Sequence, residues 1–334
     1  MNGGAKPLFP WVGGKEKLAP YVYQVLPPHL RQYVEPFGGS GAVLLGLPPD
    51  PARLDIYNDL DAELVNLLLC VKERPNALMK ELKYLPIHAR RVFEMYRDFL
   101  AYKEIHQENL QIEMEILDDR ACFTKEQADE LRPIFQHRAE LYDVRRAAAF
   151  YNCIRGSFSG TVTSFGVKTY DPERFLYLIH PAARRLREVV IENKNALQLI
   201  RERDRPGGVI YSDPPYYKSE RLYRVSRFKK NRKFHVRLWQ IISDCHGYMV
   251  ISYNDCPFIR KLYQDYYILA FRRNNPLAQK KGAEFGELII TNYDPRPYMA
   301  KQMTLFDSQN SEWEMELVNI PKVHIKKSSG GRIL

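Results

Sequence analysis

The stretch QYVEPFGGSGAVLLGL, residues 32–47, constrains the fold more than any other part of the chain. It joins a short apolar strand to a glycine-rich turn and the start of an apolar helix. A second strand follows in LDIYN and ends just before Asp59 and another apolar helix. Strand, turn, helix and strand in this order predict an α/β fold with a doubly wound sheet. An acid about twenty residues after the glycines is typical of nucleotide-type binding, although the G-x-G-x-x-G fingerprint of dinucleotide binding is absent.

A second distinctive turn, SDPPYY, follows the apolar run VIY of residues 209–211. Proline has no amide donor and fixes φ at about −65°, so Pro214 and Pro215 predict a rigid, extended backbone whose carbonyls lack a local partner. Such a turn can receive the amino group of a ligand. A simpler interpretation stays open from this stretch alone: the prolines end a strand, and Asp213 lies in solvent.

The net charge of +10 and the pI of about 9.2 favour an anionic partner, and nucleic acid is the commonest large one. Positive charge is concentrated in a basic block, Lys218–Lys233, which contains eight lysines and arginines and one acid. This density predicts contacts with phosphates, with a solvated basic loop as the alternative.

The composition disfavours several classes of protein. The chain has no run of about 18 apolar residues, and its N-terminus, MNGGAKPLFPW, has no apolar signal-peptide core. We therefore expect no membrane span and no secretion. The five cysteines are scattered without a CxxC pair, which indicates neither a disulfide framework nor a metal site. These features together predict a cytoplasmic protein with reduced thiols.

The pattern of strand signals divides the chain into a sheet region and an insertion. Strand signals nearly vanish after residue 75, where long charged helical sequence begins, and alternating elements resume after residue 175. We predict a discontinuous α/β domain of residues 1–75 and 176–295, interrupted by a mostly helical insertion of residues 76–175. Residues 296–334 show no convincing core element, and we predict that they form a tail.

The order of the motifs resembles that of a known family. FPWVGGK, VEPFGGSG, NDLDAEL, RGSFSG, DPPYY and VISYND follow one another as in the D12-class, or Dam-like, DNA adenine N6-methyltransferases, and the resemblance covers most of residues 8–293. It implies a Rossmann-like sheet that binds S-adenosylmethionine (AdoMet), a helical target-recognition insertion, double-stranded DNA as the partner, and no metal.

The resemblance also implies roles for single residues. Asp213, Pro214, Pro215 and Tyr216 match the catalytic turn, in which the acid and the Pro214 carbonyl accept the amino hydrogens while the tyrosine stacks on a base flipped out of the duplex. The positions implied for the cofactor are Trp11, Gly13, Gly14, Lys15, Glu35, Phe37, Gly39, Asp59, Asn195 and Asp213. Two residues depart from the family pattern: Pro10 replaces a frequent Lys, and Asn195 replaces a frequent Asp.

Other roles and functions stay open. Trp11 is compatible with an ordinary core position, and Asp59 with the N-cap of the helix that follows it. Methylation of cytosine N4 or of an RNA base is an alternative function, although those families more often have Ser or Asn before PPY. A catalytically silent DNA-binding relative is a further alternative.

Contacts with DNA are predicted in the insertion, in its segment Arg155–Tyr170, which begins with the RGSFSG motif, and in the basic block. Arginine and serine in RGSFSG can offer donors to base edges. The predicted DNA-binding residues are Arg155, Ser157, Lys168, Arg221, Arg224, Arg227, Lys229 and Lys230.

The segment KQMTLFD, residues 301–307, resembles the short Gln-x-x-Leu-Phe peptides that dock on the bacterial sliding clamp. Gln302, Leu305 and Phe306 would be its anchors, because a few residues of a disordered segment can carry most of a binding energy. The alternative is that Leu305 and Phe306 pack on the surface of the chain itself.

Overall fold

The structure is a computed structural model that describes residues 4–11, 13–84, 89–101, 114–132, 143–157, 162, 165–166, 173–217, 232–274, 284–302 and 314–321. It divides into two compact units. The first comprises Met1–Gly14 and Asp61–Arg187, and the second Lys15–Leu60 and Glu188–Leu334.

The second unit is built on an eight-stranded sheet. The strands are β1 (Gln32–Glu35), β2 (Leu54–Asn58), β3 (Val189–Glu192), β4 (Gly208–Ser212), β5 (Tyr248–Asn254), β6 (Tyr267–Asn274), β7 (Glu284–Thr291) and β8 (Glu314–Asn319). In space they follow the order β3-β2-β1-β4-β5-β7-β6-β8. β1 to β5 pair in parallel, whereas β7 is antiparallel to both of its neighbours and β8 to β6. The predicted α/β fold with a Rossmann-like sheet is confirmed.

The chain reverses its direction across the sheet between β1 and β4. From β1 it proceeds outward through β2 to β3, and it then returns to place β4 and β5 on the other side of β1. Doubly wound sheets bind their ligands beyond the carboxyl ends of the strands at such a switch point. The topology therefore selects the ends of β1, β2 and β4 as the place for a site.

Helices cover the sheet of the second unit and contribute to its core. They are α1 (Ala19–Val25), α2 (Ala42–Gly46), α11 (Ala196–Arg203), α12 (Arg232–Ser243), α13 (Pro257–Leu262) and α14 (Arg296–Gln302). Apolar residues of α11, α12 and α13 pack with Val34, Ile56, Ile210 and Ile251 in one buried cluster. Side chains alternate along a strand, so the neighbours of these residues in sequence face the opposite side of the sheet.

The prediction that no core element follows Pro295 is wrong, because β8 adds an edge strand to the sheet. β8 pairs with β6 with an irregularity between Ile268 and Leu269, and the Asn319 amide donates to the carbonyls of Gln264 (2.8 Å) and Tyr266 (2.6 Å). Its sequence, EMELVN, alternates apolar and polar residues over four positions, which is the strand pattern in a segment too short to be conspicuous.

The first unit is helical. Its helices are α3 (Ala62–Glu73), α4 (Pro75–Tyr84), α5 (Arg90–Ala101), α6 (114–118), α7 (125–132), α8 (Val144–Gly156), α9 (Glu173–Leu176) and α10 (Ile179–Leu186). The buried helix α8 is central: the Arg146 guanidinium donates through Nε to both carboxylate oxygens of Glu63 (2.7 and 2.8 Å) and through Nη2 to the Leu100 carbonyl (2.6 Å). One arginine thus joins α3, α5 and α8.

These units differ at their boundaries from the predicted domains. Helix α3, which the sequence assigns to the sheet region, lies in the helical unit because Asn66 and Asp143 exchange two hydrogen bonds (both 2.9 Å) between α3 and the start of α8. The role of the helical unit in target recognition stays a prediction.

Some predictions concern residues that lie outside the described ranges. These are Lys168, Arg221, Arg224, Arg227, Lys229, Lys230, Leu305 and Phe306. Within the described ranges, no helix is long and apolar enough to cross a bilayer, and no group of three His, Cys, Asp or Glu residues is arranged to hold a metal ion.

Candidate active site

Asp213 begins the turn after β4, where its carboxylate receives two charged or polar donors. The Lys15 ammonium lies 3.0 Å from Oδ2, and the Ser252 hydroxyl donates to Oδ1 at 2.7 Å. Lys15 itself is only 5% exposed. Ser252 comes from β5, the strand beside β4, so the geometry depends on the parallel pairing of these two strands.

Tyr211, Ser252 and Asp213 form a chain of hydrogen bonds that ends on the Asp213 carboxylate. The Tyr211 hydroxyl lies 3.0 Å from the Ser252 Oγ, and since the single proton of Ser252 is committed to Asp213, Tyr211 is the donor to Ser252. Burial raises the pKa of the Asp213 carboxyl above its usual value, while Lys15 and Ser252 oppose the rise. The ionised form of Asp213 therefore depends on these two neighbours.

The rest of the turn forms a compact, partly aromatic surface. Pro214 and Pro215 are buried, and none of the described residues donates a hydrogen bond to the Pro214 carbonyl. The Tyr216 ring has the Lys15 ammonium 4.5 Å from its centroid and the Tyr253 ring 6.1 Å away. A carboxylate, a carbonyl that accepts from none of the described residues and an aromatic ring thus lie within the four residues 213–216.

The glycine-rich turn after β1 is held by residues at the end of β2. The Asp59 carboxylate accepts from the Gly39 amide (2.9 Å), and the Tyr57 hydroxyl donates to the Gly39 carbonyl (2.7 Å). Gly38 packs so closely on Tyr57 that a Cβ there would lie 2.1 Å from Cε2 of the ring. Gly41 has a φ of 64°, which glycine adopts without strain.

Glu35 lies at the end of β1, buried beside the same turn. The Tyr33 hydroxyl donates to its Oε1 at 2.6 Å, and burial followed by the charge of Glu35 raises the pKa of Tyr33 well above its ordinary value. Phe37, two residues on, makes an edge contact with Phe234 of α12 at 6.2 Å between ring centroids. Glu35 and Phe37 thus lie at and just after the carboxyl end of β1, which is one of the strand ends at the switch point.

Two polar residues near the site cap helices, and this bears on the roles predicted for Asp59 and Asn195. Asp61, and not Asp59, caps α3 by accepting from the Glu63 amide (3.1 Å). Asn195 caps α11, because its Oδ1 accepts from the amides of Leu197 (3.0 Å) and Gln198 (3.4 Å). The cofactor-binding role of Asn195 stays a prediction, and its acceptor oxygen is already used by the helix.

Comparisons with known proteins agree with this geometry. The family model described as D12 class N6 adenine-specific DNA methyltransferase matches residues 11–275, which is most of the chain. The chain belongs to this family. Among relatives, the type II methyltransferase M1.LlaDCHI of Lactococcus lactis subsp. cremoris is 23% identical over 309 residues, covering 86% of this chain and 95% of the relative.

Two further relatives carry related names. The type II methyltransferase M.MjaIII of Methanocaldococcus jannaschii is 24% identical over 314 residues (86% of this chain and 99% of the relative). The retron Ec67 DNA adenine methylase of Escherichia coli is 23% identical over 268 residues (77% and 80%). This chain is thus an adenine-specific DNA methyltransferase.

The structure of this methyltransferase gathers most of the predicted cofactor positions in the second unit. Lys15, Glu35, Phe37, Gly39, Asp59, Asn195 and Asp213 lie there. Trp11, Gly13 and Gly14 lie in the first unit, where Trp11 contacts Phe9 and Phe150 edge-on at 5.9 and 6.3 Å and its carbonyl accepts from the Gly14 amide (2.9 Å). Trp11 therefore has core neighbours, as the simpler interpretation expected.

Arg155 and Ser157, the two described residues predicted to contact DNA, are engaged within the first unit. The Arg155 guanidinium lies 3.6 Å from the centroid of the Phe175 ring and donates to the Leu8 carbonyl. The Ser157 hydroxyl donates to the Ile154 carbonyl (2.8 Å) and accepts from the Val162 amide (3.1 Å), which ends α8. Their contact with DNA stays a prediction.

The sequence reasoning did not single out three residues near Asp213. Ser252 belongs to the motif VISYND and Tyr211 to the apolar run VIY, but neither hydroxyl had an assigned role. Glu287 of β7 lies within the apolar stretch ELIITNY, where only its charge distinguishes it. The pairing of β7 with β5 brings Glu287 towards the site, and no pattern in the sequence predicts that contact.

Proposed function

We propose that this methyltransferase transfers the methyl group of AdoMet to the N6 amino group of an adenine held by Asp213, Pro214 and Tyr216. The observation that carries the proposal is the partly buried Asp213 carboxylate, held by Lys15 and Ser252 directly before the carbonyl of Pro214. A proton donor from a ligand finds two acceptors there on consecutive residues.

The residues at the switch point fit AdoMet. The glycine turn, fixed by Asp59 and Tyr57, lets a ligand approach the backbone closely, and the carboxylates of Glu35 and Asp59 suit its cationic and hydroxyl groups. When bound, AdoMet supplies an activated methyl group on a sulfonium. We assign its binding to Glu35, Phe37, Gly39 and Asp59, with Trp11, Gly13, Gly14, Lys15 and Asn195 as the further predicted positions.

The turn activates a weak nucleophile. The lone pair of the adenine amino group is delocalised into the ring, and acceptance of one amino hydrogen by Asp213 and the other by the Pro214 carbonyl localises it on nitrogen. As the nitrogen forms its new bond to the methyl carbon, the bond from that carbon to the sulfonium sulfur would break, and its electron pair would stay on the sulfur of a neutral thioether. The nitrogen would become positive and lose one proton, which Asp213 would receive. The contribution of these groups is positioning and electrostatic stabilisation, with no covalent bond to the protein.

Tyr216 provides the surface on which the adenine stacks. Flipping a base out of the duplex costs a few kcal/mol. Stacking on an aromatic side chain returns about 1–3 kcal/mol. The contacts of Tyr216 with Lys15 and Tyr253 fix the ring beside the carboxylate.

Target recognition is assigned to the helical unit, to Lys168 and to the basic block, on the strength of charge and sequence. Arg155 and Ser157 already make hydrogen bonds within the first unit, so a contact with DNA either uses the other donors of the Arg155 guanidinium or exchanges the bond that the Ser157 hydroxyl donates to Ile154. Docking on a sliding clamp through Gln302, Leu305 and Phe306, activity in the cytoplasm, and a place in restriction–modification are proposed on the sequence and the relatives' names alone.

Replacement of Asp213 by asparagine tests the proposal. Asp213→Asn removes the charge that pairs with Lys15 and stabilises the developing positive nitrogen, so we expect methyl transfer to duplex DNA to slow by about 10²–10³, as when one preorganised electrostatic partner is lost. Transfer of labelled methyl from AdoMet measures the rate. Asp265→Asn, an exposed acid of the same unit, is the control. A rate of Asp213→Asn equal to that of the control would remove Asp213 from the mechanism.

A further inference from the structure

The Lys15 ammonium occupies a position that the target amine needs. It lies 3.0 Å from Oδ2 of Asp213, while Ser252 donates to Oδ1, so both oxygens have a partner before any substrate binds. A carboxylate oxygen has two lone pairs, but Lys15 also lies over the face of Tyr216, where the base would stack. Lys15 is buried, and a buried cation that leaves one acid needs another close by.

Glu287 is the candidate for this second acid, to which Lys15 can move. It lies on β7 directly opposite Asn254 of β5, on the side of the sheet where Ser252, two residues earlier, reaches Asp213. Its Oε2 is buried without a hydrogen-bond partner among the described residues. Burial raises the pKa of Glu287, Lys15 lowers it, Asp213 raises it and Tyr216 lowers it. Glu287 therefore neighbours the group in which the Lys15 ammonium contacts Asp213 and the Tyr216 ring.

We propose that Glu287 is a positioning residue for methyl transfer: it receives the Lys15 ammonium when the target amino group takes the place of Lys15 on Asp213. The inference rests on the proposed role of Asp213. The cation stays inside the cluster throughout, so the net charge of the site does not change when the base enters. In the empty site Lys15 keeps Asp213 ionised, and in the filled site it stabilises Glu287 as a carboxylate.

A double-mutant cycle between Lys15 and Glu287 tests this proposal. Glu287→Gln keeps the shape of the side chain but removes the acceptor charge, so Lys15 stays on Asp213 and competes with the amine. We expect the single-turnover rate at saturating DNA and AdoMet to fall roughly tenfold, about 1.4 kcal/mol in the barrier, with KM for DNA unchanged. In a Lys15→Met background the same substitution should change the rate by less than twofold, because there is no cation to receive.

The controls separate this mechanism from a structural role. Glu316→Gln, on exposed β8, should leave the rate unchanged, and Glu287→Asp, which keeps the charge, should retain more activity than Glu287→Gln and serves in its place if the glutamine variant unfolds. A wild-type rate for Glu287→Gln, or the same loss with and without Lys15, would overturn the proposal. Asp213→Asn in the same assay reports on the proposed function independently, since an active Asp213→Asn variant refutes that function whatever Glu287 does.

Discussion

Asp213 is the residue whose ionisation the mechanism depends on most. It must be a carboxylate to accept an amino hydrogen, yet burial favours its neutral form and raises its pKa. Lys15 and Ser252 each contact one carboxylate oxygen and lower the pKa that burial raises. Burial and these two partners therefore act in opposite directions on the pKa of Asp213.

This balance predicts the acid side of the pH–rate profile. Methyl transfer should fall as the pH drops through the pKa of Asp213, which burial raises above its ordinary value. Lys15→Met removes the cation that lowers this pKa, so the pKa rises further and the acid limb should move to higher pH. Single-turnover rates across the pH range measure the limb, with Lys17→Met, an exposed neighbour, as the control. An acid limb that stays in place or moves to lower pH in Lys15→Met would contradict this role.

The sequence predicted the turn of residues 213–216 but not its surroundings, and the catalytic role of the turn stays a prediction. Asp213, Pro214 and Tyr216 are recognisable because their residue types follow an apolar strand in a rare combination. Ser252 and Glu287 reach the same site through strands β5 and β7, and strand pairing between distant segments has no local signature. Lys15 was assigned to the cofactor, and in the structure it forms an ion pair with Asp213.

At the scale of elements, the glycine turn and the end of β2 form one unit. Tyr57 packs on Gly38 and donates to Gly39, while Asp59 accepts from Gly39, so the second strand fixes the loop that follows the first. The order of strand, turn, helix and strand was predictable from hydrophobic pattern and glycine spacing. The contact of Tyr57 with Gly38 was not, because it depends on the register of β1 and β2.

Gly38→Ala should therefore destabilise the protein. The new methyl group would meet the Tyr57 ring, and overpacking of this kind typically costs about 1–3 kcal/mol. Urea unfolding monitored by circular dichroism measures the loss. In a Tyr57→Ala background the ring is absent, so the same glycine substitution should cost much less. Equal costs in both backgrounds would show that Gly38 is not restricted by Tyr57.

Elements with strong periodicity were predictable, and short elements were not. The alternating elements that the sequence predicts after residue 175 are present as β3 to β7 with the helices between them. β8 was missed because its alternation spans few residues in a polar segment, and its place in the sheet depends on the edge that β6 offers.

At the scale of the whole molecule, the net charge of +10 predicts that the affinity of the enzyme for DNA falls as the salt concentration rises. Each phosphate contact contributes about 0.9 to the slope of log affinity against log salt concentration. Replacement of Arg221, Arg224 and Arg227 by alanine should therefore reduce the slope by up to about three in fluorescence anisotropy titrations of duplex DNA. The exposed residues Lys17, Arg201 and Lys261 form a control triple of equal charge. Equal slopes for the two triple variants would show that these three arginines of the basic block do not contact phosphates, as expected of a solvated loop.

The chemical identity of the product tests the proposed reaction most directly. Duplex DNA incubated with AdoMet and the wild-type protein is digested to nucleosides, which are separated and identified by mass spectrometry, with Asp213→Asn in parallel. We predict N6-methyladenine from the wild type and little or none from the variant over the same time. N4-methylcytosine in place of N6-methyladenine, or equal N6-methyladenine from both proteins, would contradict the reaction and the role of Asp213 respectively.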